Sequence, residues 1–202
     1  MIGNPFVANL NVKKFFDVNS SVLDNSFYYE YADGEIVPNQ TSENKVLRPM
    51  RAMFVKTKSA TTSLTLTFTA DMISFSESAE VEVVPAKAPR RSLEESFTSM
   101  LTLTAQLGTA VSRTYIEESY GALSSYDATE DAELIVLDKD LTPISLYSVA
   151  DKYALLYNRM PEIDSVPVSV LVSDSALISD VFTLTFDGVD TFDYDLYLYD
   201  AL

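Results

Sequence analysis

Two groups of closely spaced acidic side chains are the residues of this sequence best suited to chemistry. Carboxylates in a flexible turn are the ligands that Ca²⁺ prefers, because this hard cation binds about six to eight oxygen atoms. We therefore predict a calcium site in the group near the end of the chain, and we expect no other cofactor. The two groups are Asp187, Asp190, Asp193 and Asp195 near the end of the chain, and Asp127, Glu130, Asp131 and Glu133 near its middle.

Two other interpretations of these acids stay open. Neither group forms the D-x-D-x-D-G pattern of a calcium loop, and acids that alternate along a strand usually face solvent. A pair of carboxyl groups about 5–10 Å apart in a cleft could instead hydrolyse a glycosidic bond. Spacing in sequence does not bring two carboxyl groups to that distance, so no catalytic residue is assigned.

The absence of two residue types excludes most other enzymatic sites. The sequence contains no Cys and no His, which rules out thiolate nucleophiles, Ser-His-Asp triads and sulfur-ligated metals within this chain. Its five Gly residues are far apart, so it has no glycine-rich phosphate loop. We therefore expect a protein that is not an enzyme.

The charge is distributed very unevenly. Residues 1–91 contain ten Lys or Arg and ten Asp or Glu, whereas residues 92–202 contain four and twenty, a net charge of −16. An acidic surface repels phosphate backbones and anionic lipids, so neither a nucleic acid nor a membrane surface is an expected partner. No apolar run approaches the roughly 18 residues of a transmembrane helix, so we expect no membrane insertion.

Apolar residues recur with the period of β-strands. Strands are predicted at residues 27–31, 52–57, 63–69, 80–83, 97–104, 134–137, 153–157, 166–172, 182–186 and 194–198, and one short helix at residues 11–17, capped by Asn11. A linker with two prolines at residues 84–91 separates the neutral part from the acidic part. The sequence therefore predicts an all-β protein of two consecutive antiparallel β-sandwich domains of the jelly-roll or immunoglobulin-like kind, at residues 1–86 and 92–202.

Tyrosines occur on both faces of two predicted strands. One face must enter the core, and the other could stack on sugar rings or form a flat surface for a protein partner. We favour packing in the core or at an interface, since Trp, the strongest stacking residue, is missing. These residues are Tyr28, Tyr29 and Tyr31 in the first half, and Tyr194, Tyr197 and Tyr199 in the second.

Several motifs in a fixed order resemble a tandem β-sandwich region of large secreted and cell-surface proteins of Bacteroidetes, which are often exported by the type IX route. The first half matches in Ile2-Gly3-Asn4-Pro5-Phe6 and in residues 48–56, although Arg51, Ala52 and Met53 stand where Gln-Gly-Phe is usual. The second half matches in Ala154-Leu155 with Asn158 and Pro161, in residues 182–186 and in residues 196–202.

The resemblance implies an extracellular or cell-surface location and a non-catalytic structural or adhesive role. In the family, both outer motifs continue into further strands, so we expect the first domain to be incomplete at its N-terminus and the second at its C-terminus. Asp164-Ser165-Val166 and Asp174-Ser175-Ala176 are similar to the O-glycosylation motif of exported Bacteroidetes proteins, which makes Ser165 and Ser175 candidate modification sites.

The function that these observations favour is a spacer or protein-interaction module whose partner is another protein or another domain of the same surface protein. A carbohydrate-binding module is the first alternative, and it requires an exposed strip of aromatic side chains beside acids and amides. A structural protein of a bacteriophage virion is the second alternative, since it would explain a Met1 start without a signal peptide.

Overall fold

The computed structural model describes residues 1–32, 34–59, 63–75, 99–174 and 181–199. The chain forms two compact units, one of Met1–Ala32 with Ile36–Arg91 and the other of Asp33–Glu35 with Ser92–Leu202. The predicted linker at residues 84–91 lies outside the described residues, and the limits 1–86 and 92–202 stay a prediction. Both units are built mainly of strands, so the protein is all-β, with several antiparallel sheets.

The first unit contains a four-stranded and a three-stranded sheet. The strand orders are β1-β6-β3-β4 and β5-β2-β7. The strands are β1 (Ile2–Gly3), β2 (Asn9–Asn11), β3 (Leu23–Ala32), β4 (Glu35–Gln40), β5 (Val46–Leu47), β6 (Ala52–Thr57) and β7 (Ile73–Ser74). The strands predicted at residues 27–31 and 52–57 are thereby confirmed. The sequence Asp33-Gly34 predicts a turn after the strand at residues 27–31, and Asp33 lies outside the described residues.

The first unit also contains an α-helix, α1 (Val12–Asn19), whose buried residues contribute to the core. The side chain of Asn11 accepts a hydrogen bond from the Lys14 amide at 3.0 Å, which confirms the predicted cap. Phe15 and Phe16 lie on the buried face of α1 and pack against Tyr28 and other apolar residues of the sheets. The helix is far shorter than a membrane-spanning helix, and the described residues include no helix that meets that requirement.

The strand predicted at residues 63–69 is wrong, although its side chains alternate as expected. Leu64, Leu66 and Phe68 pack against the core of the first unit, while Ser63, Thr65 and Thr67 are exposed. The segment belongs to no strand, and the side chain of Asn19 bonds to its backbone instead. The Asn19 amide accepts from the Thr67 N–H at 2.8 Å and donates to the Thr67 carbonyl at 2.9 Å. Side chains can therefore alternate between buried and exposed in a segment that belongs to no strand.

The second unit is organised around one seven-stranded sheet. Its strand order is β13-β11-β12-β9-β8-β14, and β10 pairs with β12 outside this path. The strands are β8 (Ser99–Leu107), β9 (Ala110–Glu118), β10 (Ala132–Glu133), β11 (Ile144–Ala150), β12 (Tyr153–Met160), β13 (Val168–Val172) and β14 (Thr183–Asp187). The strands predicted around residues 97–104, 153–157, 166–172 and 182–186 are confirmed within these bounds, whereas the strand predicted at residues 134–137 is wrong. Residues 97 and 98 and the strand predicted at residues 80–83 lie outside the described residues.

One pairing in this sheet departs from the expected antiparallel arrangement. Strands β9 and β12 run parallel, with Tyr115 opposite Tyr157 and Ile116 opposite Asn158. Because β12 pairs with different strands along its length, the ladder around it is interrupted. Thr114 partly compensates, since its hydroxyl lies 3.1 Å from the carbonyls of both Leu155 and Leu156 and can donate its one proton to them.

One face of the seven-stranded sheet carries the second core. The residues of β8 alternate so that Leu101, Leu103, Ala105 and Leu107 are buried on this face. The half-buried valines of β13 pack against the same core, as their spacing predicts. Each unit therefore has an apolar core of its own.

Replacing Asn19 tests whether one amide stabilises the segment at residues 63–69. We expect Asn19→Ala to lower the free energy of unfolding by roughly 2 kcal/mol, because buried polar groups at Thr67 and Phe15 lose their partner. Urea unfolding followed by circular dichroism measures the change. Asn25→Ala, on the exposed face of β3, is the control and should change stability by less than about 0.5 kcal/mol. Equal losses in the two variants would contradict this role of Asn19.

Candidate binding surface

Strand β14 exposes apolar side chains on the face that the rest of the sheet buries. Its register places Leu184 opposite Ala105 and Phe186 opposite Leu103, so these side chains point toward the second core. Leu184 is half-buried there, yet Phe186 remains 38% exposed and Phe182, two residues before Leu184, 39%. Within the described part of the chain, β14 is an end of the strand order and pairs only with β8. The core face of the sheet is therefore incompletely covered at this edge.

Gly188 turns the chain directly after β14. Its φ of +87° belongs to the left-handed region, which favours glycine. A Cβ atom at this position would lie 2.0 Å from the carbonyl oxygen of Met100, at the start of β8. Glycine is therefore required here both by the backbone conformation and by the close approach to Met100.

The segment after this turn is fastened to the sheet by side chains. The Thr191 carbonyl accepts a hydrogen bond from the Ser99 hydroxyl at 2.7 Å, and the Met100 amide donates to the Thr191 hydroxyl at 3.3 Å. The Tyr194 hydroxyl donates to the Glu118 carboxylate, which also accepts from the Ile163 amide at 3.1 Å. Partial burial and this bond to Glu118 raise the pKa of Tyr194 to about 12. Tyr194 is therefore protonated at neutral pH and can serve as the donor.

The strand predicted at residues 194–198 is wrong, and its aromatic residues are mostly exposed. Residues 192–199 form no strand, and the side chains of Thr191 and Tyr194 attach this part of the chain to the sheet. Phe192 and Leu196 pack against the second core, whereas Tyr197 is 87% and Tyr199 86% exposed. We call the exposed apolar residues of β14 and of this segment the C-terminal strip. Its members are Phe182, Phe186, Tyr194, Tyr197, Leu198 and Tyr199.

The four aspartates of the predicted calcium site all lie beside the C-terminal strip. Asp187 ends β14, Asp190 lies in the 3-10 turn Val189–Thr191, and Asp193 and Asp195 follow it. All four side chains are exposed, and none takes part in the ion pairs within the described part of the chain. Over those same residues, no three acidic side chains come together as metal ligands would. The calcium prediction gains no support from this geometry.

The second acidic group is organised around Arg159 of β12. Its guanidinium lies 3.0 Å from the Glu130 carboxylate and 2.7 Å from the Ser119 hydroxyl. Asp131 is buried, and its two oxygens accept from the backbone amides of Asp127 and Arg159, each at 2.8 Å. Burial raises the pKa of Asp131 despite these bonds. These acids therefore hold the loop before β10 to the sheet.

Glu117 completes this charged cluster from β9. Its carboxylate lies 3.5 Å from Nε of Arg159, and the side chain is only 13% exposed. Burial raises the pKa of Glu117, while the positive charge of Arg159 opposes this rise. Arg159 therefore pairs with two carboxylates, those of Glu117 and Glu130. Composition alone does not predict this double pairing by one of the four Lys or Arg residues in residues 92–202.

The remaining member of the second acidic group binds a tyrosine. The Glu133 carboxylate accepts from the Tyr126 hydroxyl at 2.5 Å, and the Tyr126 ring stacks on Tyr153 with a centroid separation of 3.9 Å. In the first unit, Tyr28 and Tyr29 are buried and Tyr31 is half-buried. The prediction of core packing is therefore confirmed for Tyr28 and Tyr29, whereas the tyrosines of the C-terminal strip are exposed.

The two candidate O-glycosylation sites differ in what the structure describes. Ser165 is exposed in the connection between β12 and β13, where its hydroxyl is accessible to a modifying enzyme. Ser175 lies outside the described residues. Modification of either serine stays a prediction.

Comparison of the chain with protein-family models, curated proteins and solved structures found no match. The candidate surface is therefore argued from its own geometry.

Two glycine replacements separate backbone strain from steric overlap. We expect Gly188→Ala to lower the free energy of unfolding by about 1–3 kcal/mol from its φ alone, and further from the overlap with Met100. Gly108, in the turn between β8 and β9, also has a positive φ, but a Cβ there would meet no atom within 4 Å. Gly108→Ala should therefore be the milder change in thermal unfolding. An equal loss in both variants would argue against the close approach to Met100.

The buried carboxyl group of Glu117 should make stability depend on pH. A pKa that folding raises means that the folded state binds a proton more tightly than the unfolded state, so stability rises as the pH falls from neutral through the raised pKa. Asp131 contributes with the same sign. We expect Glu117→Gln to reduce the difference in unfolding free energy between pH 5 and pH 7.5, measured by urea unfolding.

The control for this experiment is Asp164→Asn, which makes the same change of charge at an exposed position. It should leave the dependence of stability on pH close to that of the unchanged protein. If Glu117→Gln leaves the dependence of stability on pH unaltered, burial of this carboxyl group does not raise its pKa.

Proposed function

We propose that this chain is a non-catalytic interaction module of an extracellular or cell-surface protein, and that the C-terminal strip is its contact surface. The observation that carries this proposal is the exposure of Tyr197 and Tyr199, together with the partial exposure of Phe182 and Phe186 earlier in the same C-terminal part of the chain. Contiguous exposed apolar side chains on a folded domain commonly mark a binding surface. Tyrosine is among the residues enriched at such surfaces, since its ring is apolar and its hydroxyl can bond with a partner or with water.

The buried polar side chains support a structural role for the rest of the chain. Asn19 pairs with a backbone segment of the first unit, and Thr114 bonds to the interrupted ladder of the second. The Ser112 hydroxyl accepts from the Leu146 amide at 2.8 Å, and Asp131 accepts from two backbone amides. Each of these groups stabilises the backbone.

We interpret each unit as a β-sandwich of the jelly-roll or immunoglobulin-like kind, so that the two units act in series as a spacer that also carries a contact surface. The support for this interpretation is the separate apolar core of each unit and the alternation of buried and exposed residues along the long strands. The resemblance to secreted Bacteroidetes proteins supports the extracellular location. The excess of acidic residues is in keeping with a protein that stays soluble at a surface.

A carbohydrate-binding module is the second candidate, because the structure contains the kind of surface that it requires. Tyr197 and Tyr199 are exposed on one short segment, and the Tyr197 hydroxyl lies 3.5 Å from the Asp195 carboxylate. Aromatic rings beside hydrogen-bonding acids are suited to stacking against sugars. A glycan array distinguishes this candidate, since it predicts binding that Tyr197→Ala abolishes.

Selection from a random peptide library tests the interaction function without assuming a partner. We expect the purified chain to enrich a set of peptides, because the C-terminal strip offers apolar area that binding would bury. The double variant Tyr197→Ala and Tyr199→Ala should weaken the enriched peptides by roughly tenfold, the effect of removing a single contact residue that dominates binding.

The control for the selection is Tyr120→Ala, which removes a tyrosine that is 95% exposed in the second unit and lies outside the strip. Its unfolding curve and that of the double variant establish that both are folded. Failure to enrich any peptide or any glycan, or equal weakening by Tyr120→Ala, would reject the strip as a contact surface.

A further inference from the structure

We infer that β14 is an acceptor edge for a basic, extended peptide segment of a partner protein, which adds to the seven-stranded sheet as a further strand. This inference rests on the proposed interaction function and specifies the chemistry of its partner. An extended segment that joins a sheet edge gains main-chain hydrogen bonds, and its alternate side chains enter the apolar pockets of the sheet. Three features of β14 support this role.

The first feature is the open edge itself. β14 pairs with β8 along Thr183–Asp187, and no other described strand pairs with it. Every second residue of a strand directs its N–H and C=O away from a given neighbour, so one side of β14 offers these groups to a further strand. The sequence of β14 contains no Pro and no Lys, the residues that proteins commonly place on edge strands to prevent pairing.

The second feature is the apolar face beside this edge. Phe186 lies on the core face of the sheet but is 38% exposed, and Phe182, which directly precedes β14, is 39% exposed. Leu103 and Ala105 lie on the same face of the neighbouring strand β8, which has a strand on each side, and both are buried. A partner strand with apolar residues at alternate positions would cover the two Phe side chains from the open side.

The third feature is charge, which selects a basic partner. Residues 160–202 contain nine Asp or Glu and no Lys or Arg. Asp187, Asp190, Asp193 and Asp195 lie at the end of β14 and just beyond it, and all four are exposed. Pairing of β14 with β14 of a second copy would bring two such groups together, since each copy carries a net charge of −16. Lys or Arg side chains on the partner would instead find carboxylates that lack an ion pair within the described residues.

Three synthetic peptides of nine residues test the inference on the whole chain. The first alternates Lys and Val, the second alternates Glu and Val, and the third alternates Lys and Pro. The second reverses the charge, and the third keeps the charge but lacks half of the backbone donors. Fluorescence anisotropy should show binding of the Lys-Val peptide alone. We expect this binding to weaken between 50 and 300 mM NaCl, because salt screens the attraction to the aspartates.

Variants of the chain locate the binding to β14. Phe186→Ser should weaken the Lys-Val peptide by roughly tenfold. Thr185 is exposed on the other face of β14, so Thr185→Lys should also weaken binding, whereas Thr185→Glu should maintain or tighten it. Leu171→Ser, on the exposed face of β13 at the opposite end of the sheet, is the matched control and should bind as the unchanged chain does. Amide hydrogen exchange of β14 should slow when the peptide is bound.

Each other outcome overturns the inference in a recognisable way. Equal binding of the Lys-Pro peptide would mean attraction by charge alone, and an equal effect of Leu171→Ser would place the site elsewhere. Dimerisation that Phe186→Ser abolishes would identify a second copy as the occupant. If the library selection enriches only neutral or acidic peptides, or a glycan array alone gives binding, the interaction function stands while a basic strand is rejected. If neither method finds a ligand, both proposals fail.

Discussion

A backbone N–H or C=O that leaves water must find a hydrogen-bond partner, and this requirement shapes both units of the protein. The regular parts of the sheets meet it through their ladders, as β8 and β9 do along their whole length. Elsewhere the ladders are interrupted, and buried side chains take over. Asn19 serves the segment at residues 63–69, Thr114 serves β12, and Asp131 serves the loop before β10.

The same requirement explains why the acidic residues of the second unit behave in two ways. Asp131 and Glu117 are held inside the protein by backbone amides or by Arg159, and the cost of burying them appears as a raised pKa. Asp187, Asp190, Asp193 and Asp195 remain in water, where no such cost arises. The four exposed aspartates therefore attract positive and repel negative charges near the C-terminal strip, while Asp131 and Glu117 stabilise the fold.

An edge strand leaves the same pairing requirement unmet on its outer side. Among the described residues, β14 pairs on one side alone, and its unpaired side coincides with half-exposed phenylalanines and with a run of 43 residues that has no positive charge. A spacer alone would need none of these features, and exposed apolar edges carry a risk of aggregation. Their combination is best explained as a surface that a complementary strand covers, and the surrounding negative charge discourages association between copies.

Much of the fold could be predicted from local patterns. Alternation of apolar residues located β8, β12 and β13, and the capping preference of Asn located the start of α1, because both signals depend only on residues near in sequence. The same alternation misplaced residues 63–69 and 194–198 as strands, since it reports burial on one side and says nothing about the hydrogen-bond partner. The calcium site, inferred from closeness in sequence, stays a prediction, because a metal needs ligands that converge in space.

The amino-acid sequence by itself determined the all-β character, the short helix, the acidic second half and the lack of thiol or imidazole chemistry, because each of these follows from residue type and local spacing. Only the tertiary structure decided that Asn19 bonds to the backbone of Thr67 and that Arg159 gathers distant acids. It also decided that Phe186 lies on a strand that pairs on one side alone within the described part of the chain. Those outcomes depend on which segments become neighbours after folding, and long-range pairing is not encoded in any short stretch of chain.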